Sequence, residues 1–276
     1  MTVPPAAPAA AATTVSDAVG APVTLPTPLP DYIVAATRRG ELKKIIKWLR
    51  KEGDVNAQRT SDGNSLLQLC VIMRQPDLVR ELLNRGAAYD VANHSGSTSL
   101  MAAAQLGATL EAQLLVKAGA DVNKQNKYGS TALMVAASTN KPELLLLLLG
   151  HSADVDTTSI GGSTALMVAA LEGHAYCVHL LLDAGASVET QNCAGQTALK
   201  LAEVKGHAKT QLLLQGSHPD EPLALPSEPI AADAVRLRLS DGRLVTVPES
   251  ALRQQGRKHT ADADSRRQLL SRAVQS

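Results

Sequence analysis

Gly129-Ser130-Thr131-Ala132-Leu133-Met134-Val135-Ala136-Ala137 recurs residue for residue as Gly162-Ser163-Thr164-Ala165-Leu166-Met167-Val168-Ala169-Ala170, 33 residues later. Stepping back from Gly129 by that interval reaches Gly96 and Gly63, and stepping forward from Gly162 reaches Gly195. Five glycines in one register mark an internal repeat. A period of this length predicts a solenoid of stacked units, since each unit contacts its neighbours rather than one central core.

The repeats start at Asp62, Ser95, Tyr128, Gly161 and Ala194. Each opens on a turn glycine followed by a hydroxyl residue (Ser65, Thr98, Thr131, Thr164, Thr197), the preferred N-cap of a helix. Two residues on, a leucine is always present: Leu67, Leu100, Leu133, Leu166 and Leu199. Small residues follow one turn later, as in Ala103–Ala104 and Ala136–Ala137, and Gly173-His174 or Gly206-His207 then breaks the helix. A second helix carries apolar pairs such as Leu148–Leu149 and Leu181–Leu182, and Gly86, Gly119 or Gly185 ends it. Alone, such a unit cannot bury its apolar face.

Composition fits this reading. The 276 residues include no Phe, one Trp and four Tyr, so the core is built from Leu, Ala and Val, which suits helices packed closely through small side chains. With 27 Lys and Arg against 26 Asp and Glu, the net charge of +1 gives no general attraction to nucleic acid or anionic membrane. Cys70, Cys177 and Cys193 lack metal-like spacing and read as buried or loop thiols. No Lys or Arg precedes Arg38, so the basic region of a targeting signal is missing, and the apolar run Leu144–Leu149 is too short to cross a bilayer. A soluble cytoplasmic or nuclear chain is expected.

Residues 1–30, rich in Ala and Pro, are expected to be a disordered leader. A capping unit covers 31–61, with helices over Tyr32–Arg39 and Glu41–Lys51 and a basic exterior that includes Lys43, Lys44, Lys47, Arg50 and Lys51. Repeats occupy 62–94, 95–127, 128–160, 161–193 and 194–216, and 217–234 is a Pro-rich linker. The segment 235–276 holds a hairpin (Val235–Leu239 and Leu244–Val247 around Asp241-Gly242) and a polar tail with a short helix near Ser265–Val274.

Gly119-Ala120-Asp121-Val122-Asn123, Gly195-Gln196-Thr197-Ala198-Leu199 and Ala184-Gly185-Ala186, set in this register, closely resemble the ankyrin repeat family over about residues 31–215. The resemblance implies an all-α fold: an ankyrin-repeat solenoid of six helix-turn-helix units with β-hairpin-like loops, curved, with partners on the concave side. The family's usual Thr-Pro-Leu-His is altered here. Its Pro position holds Leu66, Ser99, Ala132, Ala165 and Ala198, and its His position holds Gln68, Met101, Met134, Met167 and Lys200. Losing the Thr–His hydrogen bond is expected to cost about 1 kcal/mol per repeat, and the three Met are expected to fill the core. Arg74-Gln75-Pro76 and Asn140-Lys141-Pro142 replace the Gly-His step, from which a differently shaped turn is expected, one that keeps Arg74 out of the left-handed region. Asn123 resembles the hairpin asparagine that is hydroxylated in some ankyrin proteins.

No phosphate-cradling loop and no nucleophile–base arrangement is present in the sequence. His174, Cys177 and His179 are near one another, but Cys177 shares a register position with Leu78 and Leu144 and is expected to point into the core. No catalytic residue, cofactor or metal ligand is therefore assigned. By resemblance, contacts come from the hairpin tips and the exposed side of the first helices: Asn64, Ile72, Met73, His94, Gln105, Leu106, Lys127, Tyr128, Thr139, Ile160, Leu171, Glu172 and Lys205. Leu106 and Leu171 are expected to open onto the concave surface without supporting the core. The resulting reading is a non-enzymatic interaction module or adaptor, monomeric by itself, that takes a protein or peptide on this face. Its alternatives are nucleic-acid or anionic-surface binding through the basic cap, which the lack of interleaved aromatics disfavours, and a regulatory subunit of an enzyme complex.

Overall fold

The computed structural model describes residues 27–51 and 53–216 in full, together with the backbone of four short strands. The chain divides into two compact units, Met1–Leu223 and Ala224–Ser276. The first contains six helix pairs: α1 (Asp31–Arg38) with α2 (Leu42–Arg50), α3 (Leu66–Ile72) with α4 (Pro76–Asn84), α5 (Ser99–Leu106) with α6 (Thr109–Lys117), α7 (Ala132–Ser138) with α8 (Pro142–Leu149), α9 (Ala165–Glu172) with α10 (Ala175–Asp183), and α11 (Ala198–Lys205) with α12 (Ala208–Leu214). It also contains the antiparallel pair β1 (Val15–Ser16) and β2 (Pro22–Val23). The second unit contains the hairpin β3 (Ala234–Arg238) and β4 (Leu244–Pro248), with Val235 opposite Val247 and Leu237 opposite Val245. The linker and the short helix expected near 265–274 lie outside the described residues.

The hydroxyl residues start the first helices as their chemistry requires. Thr98, Thr131, Thr164 and Thr197 each accept, through Oγ1, the backbone N–H three residues on (Met101, Met134, Met167 and Lys200) at 3.3 Å. Ser65 does the same for Gln68 at 3.1 Å, and Gln68 Oε1 returns the favour to the Ser65 N–H, closing a capping box. Gln68 Nε2 also donates to Ser97 O in the next repeat at 2.5 Å. In the first repeat, therefore, glutamine supplies the bonds expected to be lost with the family's histidine.

The leucine register forms the spine of the core. Leu67, Leu100, Leu133 and Leu166 are buried, and so are Met101, Met134 and Met167. Leu199, in the last described repeat, is half-buried. The first helices pack more closely against one another than the second helices do, since Ala103–Ala104, Ala136–Ala137 and Ala169–Ala170 carry nothing beyond Cβ. A solenoid whose two helix rows are spaced differently must curve.

The inter-helix turns correct one expectation. Arg74 (φ 56°) and Asn140 (φ 52°) are left-handed, as are Gly40, Gly107, Gly173 and Gly206 at the same step. All six turns close with the same bond, from the residue after the left-handed one back to the helix: Gln75 N–H to Cys70 O and Lys141 N–H to Ala136 O at 3.0 Å, for example, match Ala108 N–H to Ala103 O at 2.9 Å. Pro76 and Pro142 therefore begin their helices without altering the turn. Arg74 accepts a backbone penalty of about 1 kcal/mol, against which its guanidinium donates to Leu106 O at 3.0 Å.

The stack also begins earlier than Asp31. Leu29 is buried in the core, its N–H donates to Gln58 O at 2.8 Å, and Gln58 N–H donates to Thr27 O at 3.0 Å. Thr27–Leu29 thus form a strap along the first hairpin.

Candidate protein-binding face

Each hairpin is shaped by one short polar side chain. Asn93 Oδ1 accepts from Ser95 N–H and Ser97 N–H, Asn126 Oδ1 from Tyr128 N–H and Ser130 N–H, and Asn192 Oδ1 from Ala194 N–H and Gln196 N–H. Ser159 Oγ takes over this role by accepting from Ser163 N–H. Such side-chain-to-backbone bonds are the reason Asn and Ser favour turns. The register 93, 126, 159, 192 carried this signal in the sequence, and these residues were not among the candidates.

Successive tips are tied together by the backbone. His94 N–H donates to Asp62 O, Lys127 N–H to Ser95 O, Ile160 N–H to Tyr128 O and Cys193 N–H to Gly161 O, at 2.9–3.0 Å. The turn glycines allow this approach: a Cβ on Gly129 would lie 2.7 Å from Ile160 N. Lys127, Tyr128 and Ile160 are therefore held side by side on neighbouring tips. Tyr128 is 66% exposed and Ile160 74% exposed, the latter the most exposed large apolar side chain among the described residues. His94 and Lys127 are exposed beside them.

The ends of the first helices form a second line. Gln105, Leu106, Glu172 and Lys205 are exposed, and Ile72, Met73, Thr139 and Leu171 are half-buried. Leu171 packs against the core, so it does not stand clear of the stack as expected. Thr139 Oγ1 is engaged with Val135 O at 2.8 Å and Ala104 O at 3.3 Å. His174 and His207 reach back one repeat to Ser138 O and Leu171 O, each at 3.0 Å, fastening this edge. Asn64 leaves the candidate set: it is buried, its Nδ2 donates to Asp62 and its Oδ1 accepts from Asn93. It shapes hairpins rather than presenting itself to a partner.

Behind the tips, a carboxylate or amide of one loop accepts a backbone N–H of the next. Asp90 accepts from Asp121, Asn123 from Asp154 at 2.8 Å, and Asp156 from Ser187 at 2.9 Å. Asn123 Nδ2 also donates to Ser152 O at 3.3 Å. Burial raises the pKa of Asp90 above the usual carboxylate value. At the first hairpin, the bond from Arg59 holds Asp62 down at about 2.

His174, Cys177 and His179 do not converge. Cys177 is buried with its Sγ 3.6 Å from Asn140 Oδ1, His174 is bonded to Ser138 O, and His179 faces Asp183. Among the described residues no three His, Cys, Asp or Glu are grouped as metal ligands would be, and no helix is long and apolar enough to cross a membrane.

The family model for ankyrin repeats (3 copies) matches residues 32–126, 87–159, 109–192 and 133–222, which together span well over half of the chain. Ankyrin repeats are generally protein–protein interaction modules. The six stacked helix pairs, the hairpin tips and the family match agree, and the chain belongs to the ankyrin repeat family.

Proposed function

We propose that this stack is a non-enzymatic adaptor that binds a protein or peptide along its concave side, with the hairpin tips and the first-helix ends as the contact edges. One observation carries the reading: Tyr128 and Ile160 stand exposed next to each other on tips locked by a 3.0 Å backbone bond. An exposed apolar pair on a backbone already held in place is what an interface anchor needs. Leu106, 39% exposed at the end of α5, adds apolar surface on the other edge.

Quantitative affinity purification from native lysate tests this, comparing the full chain with a Tyr128→Ser/Ile160→Asp variant. Partners retained by the wild type should be depleted by about tenfold or more, as expected for a lost anchor. Leu106→Arg should deplete the same set while leaving the melting temperature unchanged. Undiminished recovery by both variants would show that the concave edges are not the site.

A further inference from the structure

The outward side of α2 is a second, chemically different surface. Lys43, Ile46, Lys47, Arg50 and Lys51 line one shallow groove there, at the i, i+3, i+4, i+7 and i+8 spacing of a single helical stripe. The opposite side of α2 is committed to the fold, with Ile45 buried and Leu42, Trp48 and Leu49 packed on the core. Several cations elsewhere have carboxylate partners, among them Lys44 with Glu41, Arg59 with Asp62, Arg85 with Glu81 and Lys200 with Glu203. The four cations of the groove have none among the described residues, and Lys43, Lys47 and Lys51 repel one another at four-residue intervals.

We infer that this groove docks an acidic amphipathic helix of a partner protein, laid along α2. The stripe is about 12 Å long, two turns of helix, which is short for a nucleic-acid duplex but matches a helical segment. It contains no aromatic residue on which a base could stack. Ile46 sits among the cations and offers an apolar contact that a phosphate backbone cannot use but a Leu or Val flanked by Glu can. Leu42, Ile45, Trp48 and Leu49 of α2 are used in the core, so Ile46 is the one apolar residue on the stripe, too little surface to enter a bilayer.

Trp48, the one Trp of the chain, lies on α2 and makes its fluorescence a local reporter. The test titrates the full chain with a labelled Glu/Leu/Ala helical peptide of about 15 residues, a length at which an isolated helix begins to persist. A short DNA duplex and phosphatidylserine vesicles are titrated in parallel. The peptide should bind, shift the Trp48 emission and weaken as salt is raised. Lys43→Glu/Lys47→Glu should reduce its affinity about tenfold or more through like-charge contacts. Lys117→Glu/Lys209→Glu, with the same net charge change elsewhere, should leave it intact, and far-ultraviolet circular dichroism confirms that both variants are folded. Equal peptide binding by the two variants, no binding by the wild type, or tighter binding of the duplex or vesicles than of the peptide would each overturn the assignment. Partners lost with Tyr128 and Ile160 but kept by Lys43→Glu/Lys47→Glu belong to the concave site, so the two readings fail independently.

Discussion

Arg74 Nε lies 3.9 Å from Glu111 Oε1, which joins the left-handed residue after α3 to the second helix of the following repeat. Glu111 occupies the register position held by Leu78, Leu144 and Cys177, and it is buried like them. Asn140 and Cys177 repeat the same geometry two units later at 3.6 Å. At these two turns the left-handed residue serves as the polar partner for the side chain that the next repeat turns inward.

Removing that partner should be felt more than removing the carboxylate. Arg74→Ala should cost about 1–2 kcal/mol, a modest figure because the guanidinium is half exposed and screened by solvent. Glu111→Leu should be neutral or mildly stabilising, as replacing a buried charge by a well-packed leucine often is. In the Glu111→Leu background, Arg74→Ala should cost less than it does alone. A double-mutant cycle from urea unfolding measures this coupling, and strictly additive effects would dissolve the pair.

Ser152 is left-handed at φ 62°, in the position where sister repeats have Gly86, Gly119 and Gly185. Ser152→Gly should relieve about 1 kcal/mol of backbone strain, whereas Gly185→Ser should introduce a similar penalty. The bond from Asn123 goes to the backbone oxygen of Ser152 and survives the change. A raised urea midpoint for the first variant and a lowered one for the second are the expected outcomes.

Burial pushes the Cys70 and Cys177 thiols up to about 12, while Cys193 is exposed at a hairpin tip. A thiol-reactive dye at neutral pH should therefore label one site on the folded chain, Cys193, and three after denaturation. Mass spectrometry of the labelled peptides reads the result directly; rapid labelling of Cys70 or Cys177 under native conditions would mean that the helix pairs open readily.

Asp62 has a folded-state value of about 2 against an ordinary 3.8, chiefly because Arg59 donates to its carboxylate. The unfolded chain takes up the proton first on acidification. The stability that Asp62 adds is therefore complete above about pH 3.8 and drains away as pH falls toward about 2. Denaturation curves at stepped pH should show the gap between wild type and Asp62→Asn closing over that interval. A gap that stays constant would remove Arg59 as the cause.

Much of the fold was legible because the repeat is periodic and each register position has one job. Thr131 had to cap, Leu166 had to be buried and Gly129 had to turn, so six helix pairs could be placed from the repeat alone. What escaped depended on energies of similar size competing. Nothing in Arg74-Gln75-Pro76 reveals that the Leu106 carbonyl and Glu111 lie within reach of the arginine, so the left-handed turn looked too costly. Leu29 has Pro-rich neighbours that resemble a leader, and its place in the stack depends on Gln58, which is distant in sequence. On the candidate face, Tyr128 and Ile160 could be placed on tips, but side-chain bonding within the hairpins, which withdraws Asn64 and engages Thr139, is a three-dimensional property.

The strap at Thr27–Leu29 makes the two ends of the stack unequal. In a chain of nearest-neighbour contacts, opening starts where a unit has one neighbour and little else to hold it. The first pair keeps Ile33 and Ile45 fully buried, with Leu29 buried as well, whereas the last relies mainly on Ala198, Ala202, Leu201 and Leu213 and leaves Val204 65% exposed. Amide hydrogens should therefore exchange first in α12 and α11, with the boundary moving toward α9 and α10 as denaturant rises. The ladder would then unzip from its C-terminal rung, leaving the basic groove on α2 folded after the far end has melted.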